Sequence, residues 1–299
     1  MIRSSRRDDT TAAWVFAAPA LLGLGLFVAL PFALAVGLSF TNLRLGSPLP
    51  LMGVGLEQYR RILTDPIFFR ALLNNGLFAI VIVPLQTALA LGLALLLNRP
   101  LAGQALFRTV FFMPVVFPMS LVAVVWTLIY APGANGLMNA VLSVLTLGLW
   151  VPRDFLHDPV LALPAIMLLS LWQGMGFQMV ILLAGLQAIP KVLYEAAAID
   201  GSHGWQQFFY ITLPQLRNTL IFVMLVTSIL AFRLFDQVEI MTQGGPNSAT
   251  TTVMYEAVKV AFAQQKIAKG AAMTVVFFLI VLAIALVQRW LVKEERAYE

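Results

Sequence analysis

Six long oily runs govern what this chain can fold into: roughly residues 12–40, 72–97, 109–130, 160–187, 218–240 and 270–292. Each has the ~20 mostly apolar residues needed to cross a bilayer as a helix. Each is bounded by charge, proline or glycine. Lipid offers no partner to a backbone N–H or C=O, so a crossing segment must satisfy its own polar groups. The runs are continuous blocks, unlike the alternating strands of a barrel. The expectation is an all-α, polytopic membrane protein with six transmembrane helices. Composition agrees, with 60% hydrophobic and 11% charged residues, against about 25% charged in soluble domains. A soluble globule this apolar would expose large sticky patches.

Lys and Arg near the span ends set the orientation. With the N-terminus inside, the inner segments carry ten: Arg3, Arg6, Arg7, Arg99, Arg108, Lys191, Arg217, Arg289, Lys293 and Arg296. The longer outer loops carry eight: Arg44, Arg60, Arg61, Arg70, Arg153, Lys259, Lys266 and Lys269. This bias predicts both termini in the cytoplasm and residues 188–217 inside. Arg6, Arg7 and Ala18-Pro19-Ala20 imitate a cleaved signal. However, the run that follows is far longer than a signal core of ~7–15 residues, so it reads as a retained span. The expected organisation is residues 1–70 (N-terminal tail, first helix and outer loop), 71–292 (a core of five helices with an inner loop at 190–217) and 293–299 (cytoplasmic tail). In the first outer loop, Leu56, Tyr59, Ile62 and Leu63 recur at helical spacing against Arg60 and Arg61. That pattern fits a short amphipathic surface helix, or a loop with apolar anchors.

Several function classes find no support. There is no G-x-x-x-x-G-K-[ST] phosphate loop and no H-E-x-x-H pair. There is no cysteine, and His157 and His203 cannot hold a metal by themselves, so no metal site is expected. Ser202-His203 lacks a third group to orient it, and sequence neighbours rarely face each other. The basic residues are spread over the connections and form no aromatic-studded stripe, which argues against nucleic acid.

Polar groups inside spans are the usual functional flags. "LWQGMGFQMV" places Trp172, Gln173 and Gln178 in the fourth run, with Gly174 and Gly176 allowing a backbone or ligand to come close. Trp can stack on a sugar face and Gln can bond its hydroxyls; helix–helix hydrogen bonding plus an interfacial Trp is the alternative. Arg233 lies near the outer end of the fifth run, with Asp236 three residues on and so on the same face of one helix. An Arg–Asp pair, an Arg reaching the outer interface, and a polar contact to solute in a central cavity are all open.

The most wetted inner segment is "YEAAAIDGSHGWQQFFYITLP", residues 194–214. Pro190 ends the fourth run, and Lys191 to Ile199 is alanine-rich and helix-favouring. Asp200-Gly201 then reads as a turn, glycine taking positive φ at a helix C-terminus. Leu213-Pro214 restarts the chain into the fifth run. The result would be a slim helical knob outside the bilayer, suited to another protein's groove, or else a tidy connector.

This segment closely resembles the EAA loop of permease subunits in binding-protein-dependent ABC importers: Glu-Ala-Ala, then Asp-Gly-Ala, then Ile-x-Leu-Pro. The matching residues are Glu195, Ala196, Ala197, Asp200, Gly201, Ile211, Leu213 and Pro214, with Ser202 where Ala is usual and Asn218 where a further Pro is common. "FRTVFFMPVVFPMSLVAVVWTLIY" and the Gly-Gly-Pro of "FDQVEIMTQGGPNSATTTVMYEAVKVAF" are similar to the carbohydrate-uptake branch, the sugar and glycerol 3-phosphate permeases. The resemblance implies the type I importer permease fold in a bacterial or archaeal cytoplasmic membrane. It also implies a second permease as partner, a dimer of cytoplasmic ATPases that uses ATP and Mg²⁺, and an extracytoplasmic solute-binding protein. This chain would itself bind no cofactor and catalyse nothing. Glu195, Ala196, Ala197, Asp200, Gly201, Ser202, Leu213 and Pro214 would couple to the ATPase. A permease for a phosphate ester stays open. A stand-alone secondary transporter would need its own coupling carboxylate near mid-membrane, and no Asp or Glu lies at the middle of a run.

Overall fold

A computed structural model describes residues 5–99 and 102–293. Arg3, Arg296 and most of the expected tail 293–299 lie outside the described residues, as do the side chains of Arg6, Arg7 and Lys293. The described chain is all-α, and its β pairing is a single isolated bridge, Thr41 with Gly53. In order come α1 (Ser5–Leu24), a π turn (Gly25–Ala29), α2 (Leu30–Ser39), α3 (Glu57–Leu63), α4 (Pro66–Leu97), α5 (Gln104–Val116), α6 (Met119–Ile129) and α7 (Leu137–Leu145). Then follow α8 (Ala162–Gln187), α9 (Lys191–Ile199), α10 (Gly204–Gln207), a π turn (Phe208–Thr212), α11 (Leu213–Phe232), α12 (Asp236–Met241), α13 (Val253–Val258), a third π turn (Lys259–Ala263) and α14 (Ile267–Lys293).

Five helical stretches are long and apolar enough to cross a membrane, and the α5–α6 pair makes a sixth if it counts as one broken span. Four runs became spans close to where the sequence put them: Ala13–Ser39, Pro66–Leu97, Ala162–Gln187 and Ile267–Trp290. The other two differ. The third is bent by 100° between α5 and α6. The break falls at Phe117-Pro118, where Phe117 is extended (φ −81, ψ 140). Proline Cδ crowds the preceding residue out of the helical region, so the helix stops there. The fifth is not restarted by Leu213-Pro214. Helix runs from Gly204 to Phe232 through a π turn, and Pro214 lies inside this continuous helix directly after that turn, so its missing N–H falls where the ladder is already irregular. That helix ends at Arg233, and α12 begins separately at Asp236.

The chain divides into two compact units. One comprises residues 1–65 and 257–279, the other 66–256 and 280–299. In the first, no residue in the most apolar window of α1–α2 is buried, and Phe16 is 86% and Phe27 76% accessible. Surface this apolar is stable only against lipid or a partner. Phe32 of α2 meets Phe278 of α14 at 4.6 Å between ring centroids. The expected amphipathic helix is α3, with Ile62 fully buried and Leu56 and Leu63 exposed. Tyr59 Oη lies 2.6 Å from Ser39 Oγ, which ties α3 to the end of α2.

In the second unit, α4, α8 and α11 share a core of small and branched residues: Ala90, Ala94, Leu97, Met179, Leu182, Leu186, Leu216 and Val223. Close approach needs glycine. A Cβ on Gly176 would lie 1.9 Å from the Phe111 carbonyl oxygen of α5, and one on Gly185 would lie 2.9 Å from Leu216 and Thr219 of α11. Beyond the end of α11, buried Asn74 donates to the carbonyls of Ser248 (3.1 Å) and Thr251 (2.9 Å). Asn75 Oδ1 accepts from the Val253 N–H at 2.9 Å. Two asparagines of α4 thus satisfy the irregular Gly-Gly-Pro loop, whose backbone would otherwise be buried unpaired.

Candidate functional site

The second unit holds a cavity of about 340 Å³ bounded by α4, α8, α11, α12 and the α5–α6 kink. Its wall is mostly apolar, with Phe78, Ile82, Met119 and Phe177, interrupted by a few polar side chains. This is the composition of a small-molecule site: hydrophobic faces and a few placed hydrogen-bonding groups.

Those polar groups form a relay across three helices. Gln86 of α4 donates from Nε2 to the Ser170 carbonyl at 2.8 Å. Gln178 of α8 donates from Nε2 to Gln86 Oε1 at 2.9 Å and to Thr227 Oγ1 of α11 at 2.7 Å. Thr227 Oγ1 in turn donates a hydrogen bond to the Val223 carbonyl at 2.7 Å. Gln178 is 4% exposed, and its Oε1 has no hydrogen-bond partner among the described residues. An unsatisfied buried acceptor costs about 1–3 kcal/mol, so this wall carries an unmet demand for a donor.

Four of the five pathway residues expected from sequence line this cavity: Gln173, Gln178, Arg233 and Asp236. Trp172 does not. It turns away to pack on Trp126 of α6, ring centroids 5.7 Å apart. Arg233 and Asp236 share the wall but not a helical face, because Arg233 caps α11 and Asp236 opens α12. Among the described residues no ion pair joins them. The two glycines of "QGMG" differ in what they admit. Gly174 lets in a side chain, since its added Cβ would lie 2.1 Å from Gln86 Nε2, whereas Gly176 admits the backbone of α5. Gln86, Ser170, Thr227 and Gln237 also line the cavity and were not singled out from the sequence. The available signal was uncharged polar residues inside apolar runs, in "VPLQTALA" and "LVTSIL".

The loop at 190–217 forms the helix and turn that its residues predict. α9 ends with Ser202 N–H on the Ala197 carbonyl (2.9 Å) and Gly201 N–H on the Ala198 carbonyl (3.1 Å). That is the two-bond helix stop that needs a left-handed residue at its centre, and Gly201 has φ +76. His203 N–H donates to Gln206 Oε1 at 2.8 Å and starts the next helix. Tyr194 Oη and Thr212 Oγ1, 2.9 Å apart, brace α9 against that helix. Glu195, Ala196, Asp200 and Gly201 are exposed, while Ala197 and Ser202 are half-buried. Around them Ile199 is 87%, Trp205 76% and Tyr210 80% accessible. Leu213 and Pro214 line a separate shallow groove beside Phe209 and Arg217. Open space surrounds Gly201, so Gly201→Val pays only for its φ, about 1–2 kcal/mol. The expected result is a folded chain whose loop is cut faster by protease; wild-type protection would contradict the turn.

Residues 86–296 match the family described as the binding-protein-dependent transport system inner membrane component. A probable ABC transporter permease of Pyrococcus horikoshii is 33% identical over 281 residues, 94% of this chain and 95% of that one. The trehalose/maltose transport system permease MalF of Thermococcus litoralis is 39% identical over 200 residues, 67% of this chain and 66% of its own. The lactose transport system permease LacF of Rhizobium radiobacter is 33% identical over 256 residues, 84% of this chain and 80% of its own. A solved bacterial ABC transporter for import of the polysaccharide alginate has a chain of the same fold, with TM-score 0.81, 19% identity, and coverage of 98% of this chain and 99% of that one. The chain therefore belongs to the inner-membrane permease family of binding-protein-dependent ABC importers, and works as part of a multi-subunit complex. Among the described residues no cluster of His, Asp or Glu could hold a metal.

Proposed function

We propose that this chain forms, with a second permease, the membrane pathway for a sugar or sugar-like solute handed over by an extracytoplasmic binding protein. The observation that carries the reading is the polar-relayed cavity, with Gln173 and the orphan Gln178 Oε1 in its wall. Hydroxyl donors from a polyol would satisfy that acceptor, and relatives whose names specify trehalose, maltose and lactose support the class. Residues 71–292 serve as the core, and the loop at 190–217 docks on a dimer of cytoplasmic ATPases that use ATP and Mg²⁺. Glu195 meets a cation of the ATPase, Asp200-Gly201 ends the coupling helix, and the termini face the cytoplasm.

Gln173 tests the pathway, because it lines the cavity and its side chain makes no hydrogen bond to another described residue. Gln173→Leu should raise the half-saturating solute concentration about tenfold, the value of one lost hydrogen bond with an unpaired partner, at unchanged complex yield. An unchanged uptake curve would rule Gln173 out as a contact. A second reading, a phosphate-ester solute, has one observation in its favour: Arg233 is a cation in the cavity wall with no ion pair among the described residues. Arg233→Ala should then abolish glycerol 3-phosphate uptake; indifference of that uptake to the substitution removes this reading.

A further inference from the structure

The first unit contains a small basic pocket remote in kind from the solute cavity. It is lined by Asn42, Arg44, Gln58, Arg61, Lys266 and Lys269, together with Leu43. Its volume is about 120 Å³, enough to admit a tetrahedral oxyanion.

The charges in its wall do not cancel. Lys269 is held by Asp65 at 2.6 Å and Arg61 by Glu57 at 2.9 Å. Lys266 reaches only the neutral Gln264 amide at 3.2 Å. Arg44 and Lys266 have no carboxylate partner among the described residues. Lys266 and Lys269 also flank the first turn of α14, where the helix dipole disfavours cations. Lys266 thus stands unneutralised before the positive end of α14, with Arg44 beside it in the same wall, and an anion placed between them would be attracted by both and by the helix end. The wall itself is well fixed. Ala268 N–H donates to the Leu43 carbonyl at 3.0 Å, and Gln58 Nε2 donates to the Thr41 carbonyl at 3.0 Å.

Position decides which anion. Asn42 lies three residues past the end of α2, and Lys266 immediately precedes α14. Both helices belong to stretches apolar enough to cross the membrane, and Phe32 against Phe278 keeps them side by side. The pocket therefore caps a pair of lipid-facing helices at the depth of headgroups, and Leu34 (57% exposed) and Leu279 (55%) offer a path for acyl chains. The geometry points to a binding site for the phosphodiester of an anionic phospholipid, gripped by Arg44 and Lys266. The shared chemistry is a phosphate oxyanion; free phosphate would use the same groups without the apolar path.

The test uses the intact transporter complex in phosphatidylcholine nanodiscs doped with phosphatidylglycerol, with lipid retained on release read by native mass spectrometry. The wild type should retain phosphatidylglycerol over phosphatidylcholine. Arg44→Gln with Lys266→Gln should cut that enrichment about thirtyfold, as expected for two interfacial cations, and Arg44→Lys with Lys266→Arg should keep it. Excess inorganic phosphate should fail to displace the lipid. Wild-type enrichment in the glutamine double variant overturns the site, and full displacement by inorganic phosphate overturns the lipid as occupant. If the double variant does not assemble, Arg44→Gln alone decides: a severalfold loss supports the site, and no loss overturns it.

Discussion

Glu195→Lys is expected to abolish solute accumulation while leaving the amount of protein in the membrane unchanged. The side chain sits mid-way along α9, exposed, with no ion pair among the described residues. Its removal therefore costs the permease nothing in packing. Its neighbours Ala196 and Ala198 are small and exposed, so an approaching groove can close on the helix and exclude water. Losing one partner of a charge pair buried in an interface costs about 2–5 kcal/mol, and reversing the sign adds repulsion. That corresponds to at least thirtyfold weaker docking. Co-purification of the ATPase and uptake should fall together. Normal uptake by the Glu195→Lys variant would remove the loop from any role in coupling.

Gly176→Ala is expected to be the most damaging single methyl in the second unit. The new carbon would lie 1.9 Å from a backbone carbonyl, that of Phe111, and 3.0 Å from the Phe112 Cα. No side-chain rotation relieves this; α5 must move away from α8. Overpacking of this kind costs ~3 kcal/mol. Gly92→Ala on α4 is the matched control, since nothing lies within 4 Å of its added carbon; it should be neutral or gain up to ~1 kcal/mol. Thermal unfolding of the purified complex compares the two. Equal stabilities would mean that α5 does not cross α8 at Gly176.

Much of this was legible in the sequence for a physical reason. Crossing lipid leaves the backbone one solution, so runs of twenty apolar residues became helices almost where they lie. The loop at 190–217 was legible because a glycine at positive φ and an alanine-rich stretch are local signals. What stayed hidden was decided by distant groups. Nothing in "AFRLFDQ" announces a break, yet α11 ends there. The Leu234 carbonyl is taken by Thr252 Oγ1 at 2.8 Å, and the Phe232 carbonyl lies within 3.5 Å of Asn75 Nδ2, so tertiary bonds replace the helical ladder. Arg233 and Asp236 consequently left the common face that their spacing predicts. Trp172 packs on Trp126 outside the cavity lining, a placement the sequence does not announce, because an interfacial aromatic and a cavity wall use the same residue type.

The unbroken helix from Gly204 to Phe232 has a mechanical meaning. Trp205 at its wet end and Thr227 in the cavity wall are on one shaft, about 33 Å apart at ~1.5 Å per residue. The π turn at Phe208–Thr212 and Pro214 are the two places between them where that shaft can bend. Short of such bending, a tilt of a few degrees at one end would displace the other by an ångström or more.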